Sequence, residues 1–187
     1  MTSPNQESLV YFRSEKTNNY CSYTTDSSRA AHGTDKKYIY CDHSTSGPTE
    51  VFRMVRDGQM WKMYTNVKVG DIDKDSLVYV RKYRNSGPDG NKNDIHQNVA
   101  SFTGDHENGH DGTYKIHTND DNTFCFKSMH RGDSFCAVEN EHVKHGLRCD
   151  RGSCGDWEKF TASYAPGNTG EFPTLGIDPL AEANAAA

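Results

Sequence analysis

Apolar and polar residues alternate in short runs along most of this chain, and the runs recur in groups of four. The cleanest group lies between Thr123 and Ala162: TFCFKS, the turn MHRGD, then SFCAVE, KHGLRCD and DWEKFTA. Alternation of this kind marks strands with one buried face. Two further groups can be laid beside it. The opening strand reads VYFRS from Val10 to Ser14, WKMYT from Trp61 to Thr65 and FCFKS from Phe124 to Ser128. The second reads YCSY from Tyr20, LVYV from Leu77 and FCAV from Phe135. The third reads YIYCD from Tyr38, VASFT from Val99 and GLRCD from Gly146. The fourth reads EVFRM from Glu50, TYKI from Thr113 and WEKF from Trp157.

Clusters of Gly, Asn, Asp and Ser separate these runs, and no long stretch carries apolar residues at a helical spacing. A repeat that cannot bury its own apolar face must share a core with its copies. Three groups of four strands therefore predict one all-β domain. With 187 residues and 33% hydrophobic content, the chain supports one modest core and not two. Three such units close a fold without a deep catalytic cleft, which points to binding or scaffolding.

The third unit resembles a repeat of the fascin-like (actin-crosslinking) β-trefoil family: a hairpin, a strand, a short glycine-bearing turn and a WE.F closing strand. The residues that carry this are Phe124, Phe126, Phe135, Cys136, Val138, Gly155, Trp157, Glu158 and Phe160. Gly47, Pro48, Glu50 and Phe52 fall at the same offsets in the first unit, while Thr49 and Gly112 take the place of the closing Trp. The resemblance implies an all-β β-trefoil of three four-stranded repeats and an actin-binding role. It divides the chain into an N-terminal extension (1–8), a trefoil domain (9–164, repeats about 9–58, 59–122 and 123–164) and a Pro/Ala-rich tail (165–187).

A net charge of −5, with basic residues scattered through the strands, excludes a nucleic-acid surface. No run of 18 apolar residues exists, so no membrane span is expected, and MTSPNQESLV does not read as a signal peptide. The six cysteines then bear on compartment. Cys21 and Cys136 share one place in the second strand, where the second unit has Val78; Cys41 and Cys149 share one in the third strand, where it has Phe102. As buried thiols they act as small hydrophobes and fit a cytoplasmic protein. Alternatively, Cys21 pairs with Cys41 and Cys136 with Cys149, or Cys149 with Cys154, which would place the protein outside the cell.

The loop GDHENGHDG offers His106, His110, Asp105 and Asp111, with Glu107 nearby, as candidate zinc or copper ligands, against the alternative of a solvated loop. The segment DIDKDS lacks the Gly and Glu of a calcium loop and is excluded as one. Arg131, Gly132 and Asp133 form an RGD at a hairpin tip, where turn chemistry already explains Gly and Asp. No nucleophile elbow, phosphate loop or HExxH is present, so no enzyme activity and no cofactor are expected. Three function classes remain: an actin-filament binder, a lectin-like trefoil holding a glycan on aromatic platforms, and a self-assembling structural protein of an extracellular or mineral-associated matrix. In the last, the tail would cross to a neighbouring copy and make a homo-oligomer.

Overall fold

The computed structural model describes residues 7–23, 39–65, 77–81, 99–103, 112–129, 133–139 and 145–172. Its strands, in chain order, are β1 Glu7–Ser14, β2 Tyr20–Tyr23, β3 Ile39–His43, β4 Val51–Asp57, β5 Met60–Thr65 and β6 Leu77–Arg81. They continue with β7 Val99–Thr103, β8 Thr113–Thr118, β9 Phe124–Ser128, β10 Ser134–Val138, β11 Leu147–Arg151 and β12 Phe160–Tyr164. The pairings β1–β4, β4–β5, β5–β8, β8–β9, β9–β12 and β12–β1 run in a closed circuit. Closure leaves the barrel without an edge. The other strands form the hairpins β2–β3, β6–β7 and β10–β11. A six-stranded barrel with three hairpins is the β-trefoil.

The register shows how closely the copies agree inside. Val10, Trp61 and Phe124 lie opposite Phe52, Tyr114 and Phe160. Those same three aromatic residues also face Thr65, Ser128 and Ser14 on their other neighbours. Between these positions Phe12, Met63 and Phe126 fill the barrel, all fully buried. Full burial of each such side chain stabilises by about 1.5–3 kcal/mol. The second copy's aromatic is a Tyr, and the Tyr114 hydroxyl donates to the Val78 carbonyl at 3.1 Å, which satisfies the buried phenol. Burial raises its pKa above the ordinary tyrosine value.

Two boundaries differ from the alternation pattern. The run WEKF is not a strand at its start; the chain turns there, and β12 begins at Phe160. Glu158 causes this, because its side chain folds back to accept from the Gly155 N–H at 2.8 Å while its own N–H donates to the Gly155 carbonyl. Glu50 N–H likewise donates to the Gly47 carbonyl in a short 3-10 turn, Pro48–Glu50. The register also puts Gly112 at the place of Glu50 and Glu158 and not, as expected, at that of Trp157, since it precedes Tyr114 by two as they precede Phe52 and Phe160.

Residues 165–172 belong to the packed body. Ala165 N–H donates to the Leu9 carbonyl at 2.9 Å, and Leu9 N–H donates to Asn168 Oδ1 at 2.8 Å. The strap passes so close to β1 that a Cβ on Gly170 would lie 1.7 Å from the Glu7 carbonyl oxygen, which restricts this position to glycine. Beyond it Phe172 is buried and packs on Phe12, Trp61 and Phe124, sealing the barrel beside the start of β1.

The cysteines are oxidised, not thiols. Cys21–Cys41 and Cys136–Cys149 join opposed positions of β2–β3 and β10–β11, and Val78 lies opposite Phe102 at the matching place of β6–β7. The third bridge is Cys125–Cys154, so Cys154 does not pair with Cys149. Three disulfides favour an oxidising, extracellular setting over the cytoplasm, where thiols are kept reduced.

Candidate functional site

Because inward and outward residues alternate, each opening strand also presents a side chain to the outside between its core residues. Arg13, Tyr64 and Lys127 are those residues, and each is the centre of a row across three strands. The first row is Thr161, Arg13 and Tyr20, on β12, β1 and β2. The second is Arg53, Tyr64 and Leu77, on β4, β5 and β6. The third is Lys115, Lys127 and Phe135, on β8, β9 and β10.

Every row contains a cation against an aromatic ring. Arg13 lies 5.9 Å from the Tyr20 centroid, Arg53 4.5 Å from Tyr64 and Lys127 5.4 Å from Phe135. These separations fall within cation–π range. All three rings are half-buried, with apolar surface left toward solvent. A threefold register thus yields one aromatic platform per repeat.

Two platforms are set by the same local device. The pairing of β2 with β3 shifts between Tyr20 and Cys21, leaving Asp42 as an extra residue; that of β10 with β11 shifts between Phe135 and Cys136, leaving Asp150. A bulge re-aims the side chain beside it, so Tyr20 and Phe135 face outward while the next residue, a disulfide cysteine, is buried. Beyond the bulge, His43 Nδ1 lies 2.5 Å from buried Glu50, and Arg151 reaches Glu139 at 2.6 Å and Glu158 at 3.8 Å. These pairs tie the hairpin base to the glutamate turn. The second row has no such shift.

The rows differ in charge. Arg13 donates to Asn18, through Nε to its carbonyl at 3.3 Å and through its other nitrogen to the side chain. Arg53 is paired with Glu7 at 3.2 Å. In the third row Lys127 meets Asp133 at 3.5 Å, whereas Lys115, directly opposite Lys127, has no ion-pair partner among the described residues. His117, exposed two residues along the same face, meets the Phe135 ring edge-on at 6.1 Å.

A fourth ring lies apart from the rows. Trp157 is half-buried on the glutamate turn, 4.6 Å from the Lys16 ammonium, and Cys125–Cys154 anchors that turn to β9. Nearby, Lys159 binds the Asp121 carboxylate at 2.7 Å, and with the Thr123 hydroxyl this holds Asp121 at about 2, below its ordinary carboxylate value.

The proposed metal ligands His106, His110, Asp105 and Asp111 lie outside the described residues, as do Arg131 and Gly132 of the RGD. Among the described residues no group of three or more His, Cys, Asp and Glu is placed to hold a metal. Asp133 is tied to Lys127. The rows themselves escaped the sequence because they join residues of different strands. The available signal was the outward position of each aligned opening strand, read together with the residue before Cys21, Val78 and Cys136.

No protein-family model matches the chain, and no curated protein matches it by sequence. Solved structures do match in fold. A salivary protein from Culex quiquefasciatus, of the Cysteine and Tryptophan-Rich family, aligns with a TM-score of 0.58 at 10% identity, covering 88% of this chain and 99% of that one. A ricin B-like lectin from Macrolepiota procera, solved with lactose, gives 0.56 at 11% identity, covering 88% and 99%. The designed threefold-symmetric protein ThreeFoil gives 0.54 at 11% identity, covering 82% and 96%. At these identities the likeness is one of fold. No helix among the described residues is long and apolar enough to cross a membrane.

Proposed function

We propose that this chain is a non-enzymatic, extracellular β-trefoil that binds carbohydrate on its three cation–aromatic rows. The observation that carries this is the recurrence of a half-buried ring against a cation in the same three-strand row of every repeat, with the ring central in the second and on the hairpin strand in the first and third. The flat C–H face of a pyranose stacks on such a ring, and its hydroxyls accept from Arg or Lys and donate to Asn or carboxylate oxygens. Asn18 beside Arg13, Glu7 beside Arg53 and Asp133 beside Lys127 supply those acceptors. Shallow platforms bind weakly one at a time, and three on one body gain by multivalency.

The actin-filament reading, which rests on the fascin-like resemblance, and the self-assembling matrix reading stand behind this one. Three disulfides weigh against a cytoplasmic filament as partner, and cosedimentation with actin tests it directly. A glycan array probed with the intact protein tests the carbohydrate reading. Binding should appear, and Tyr20→Ala, Tyr64→Ala and Phe135→Ala should each lower it by roughly five- to tenfold, the worth of one aromatic contact. An empty array, or binding indifferent to all three substitutions in folded protein, would sink the reading.

A further inference from the structure

The third row does not match its two copies in charge, and the mismatch specifies a ligand. Lys115 and Lys127 sit directly opposite each other on the outer face of β8–β9, with Phe135 next in the row and His117 two residues from Lys115. Like charges at opposed positions of an antiparallel pair destabilise it. Asp133 meets Lys127 alone, at 3.5 Å and half-exposed, and Lys115 has no ion-pair partner among the described residues. At the same register positions the first row has an uncharged Thr161 beside Arg13, and the second has Tyr64 beside Arg53. A positive surplus on a chain of net charge −5 is a local departure, and it surrounds an aromatic platform. An anion held between the two ammonium groups removes the repulsion, while the sugar that carries it stacks on Phe135.

We propose that the row of Lys115, Lys127 and Phe135 is an acidic-sugar site, taking the sulfate or carboxylate of an anionic glycan between the two lysines. The site rests on the carbohydrate reading and narrows it to one repeat and one ligand class. His117 borders the site, edge-on to the Phe135 ring. Charge-assisted contacts of this kind are roughly twice as strong as neutral ones and weaken with salt.

The test uses the full oxidised chain and isothermal titration with three probes: a heparin oligosaccharide, the same oligosaccharide after desulfation and carboxyl reduction, and inorganic polyphosphate of matched charge. The heparin oligosaccharide should bind at least tenfold more tightly than its neutralised form. The Lys115→Gln/Lys127→Gln variant should lose that preference, whereas Arg56→Gln, at the β4–β5 hairpin outside the rows, should keep it. Phe135→Ala should weaken heparin binding but leave polyphosphate unaffected. Thermal unfolding identifies variants that have lost the fold. Equal affinity for the heparin and neutralised forms, or a preference that survives the double lysine substitution, overturns the acidic-sugar site and leaves the carbohydrate reading standing. Polyphosphate binding as tight as heparin overturns the sugar component. Failure of every glycan, neutral or charged, overturns both.

Discussion

The first and third repeats share three devices that the second lacks. Each closes its hairpin with a disulfide at opposed positions, where the second sets Val78 opposite Phe102. Each carries an aspartate bulge that turns an aromatic ring outward, where β6 and β7 pair without a shift. Each ends in a turn with a buried glutamate, where the second has Gly112. The barrel register is nevertheless the same in all three. Core complementarity therefore suffices for the fold, and the added devices fix the hairpin base on which two of the three platforms stand.

The largest effect should come from removing the staples. The Cys21–Cys41 and Cys136–Cys149 bridges close loops at sequence separations of 20 and 13, and removing either by Cys21→Ala/Cys41→Ala or Cys136→Ala/Cys149→Ala should cost about 3 kcal/mol in denaturant unfolding. Near-equal losses would support equivalence of the two repeats; a loss well under 1 kcal/mol in either would show that its hairpin is held by other contacts.

Next in size are the glutamate turns. Glu158→Ala strands the Gly155 N–H and removes one of the three carboxylates around Arg151, leaving Glu139 and Asp150, at a cost of about 2 kcal/mol. Glu50→Ala removes the partner of His43 Nδ1 and the acceptor of the Thr49 hydroxyl, and should cost a similar amount. Chemical denaturation of both variants measures whether the two turns are as alike in energy as in geometry.

A smaller effect separates the first repeat from the third. Tyr11 and Cys125 hold the same place on β1 and β9, one residue after Val10 and Phe124, and each is tied to its turn: Tyr11 through a hydrogen bond with Ser46, Cys125 through the bridge to Cys154. Tyr11→Phe should cost about 1 kcal/mol, a third of what loss of the Cys125–Cys154 bridge costs. Equal costs would contradict the substitution of a hydrogen bond by a covalent link.

The smallest effect is that of pH on the Asp121–Lys159 pair. Asp121 titrates at about 2 in the folded chain, below the ordinary 3.8. Its contribution is complete above about 3.8 and is lost as pH falls through 2. Asp121 is exposed and Lys159 only half-buried, so salt should erase the pair, and Asp121→Asn should leave the unfolding midpoint nearly unchanged at neutral pH. Carboxyl NMR titration of Asp121 gives the value directly.

Strands were legible wherever alternation was backed by a neighbouring copy. YCSY, VASFT and FCFKS appear with the bounds their pattern implies. WEKF misled because a glutamate that caps its own turn leaves the same alternation as a strand. The equivalence of Cys21 with Cys136 and of Cys41 with Cys149 was visible, but oxidation was not, since spacing is the same for thiols and disulfides. Cys125–Cys154 and Phe172 depend on which surfaces the folded barrel brings together. The three rows needed the register across strands, which no single strand encodes.

Whether the rows are the binding surface is decided by amide NMR of the full chain, titrated with the best glycan from the array. Shifts are expected at Arg13, Tyr20, Arg53, Tyr64, Lys127 and Phe135, with the amides of Phe12, Met63 and Phe126 inside the barrel unmoved. Shifts gathered on the Trp157 turn or on any surface other than the three rows, with the rows unchanged, would contradict a binding role for them.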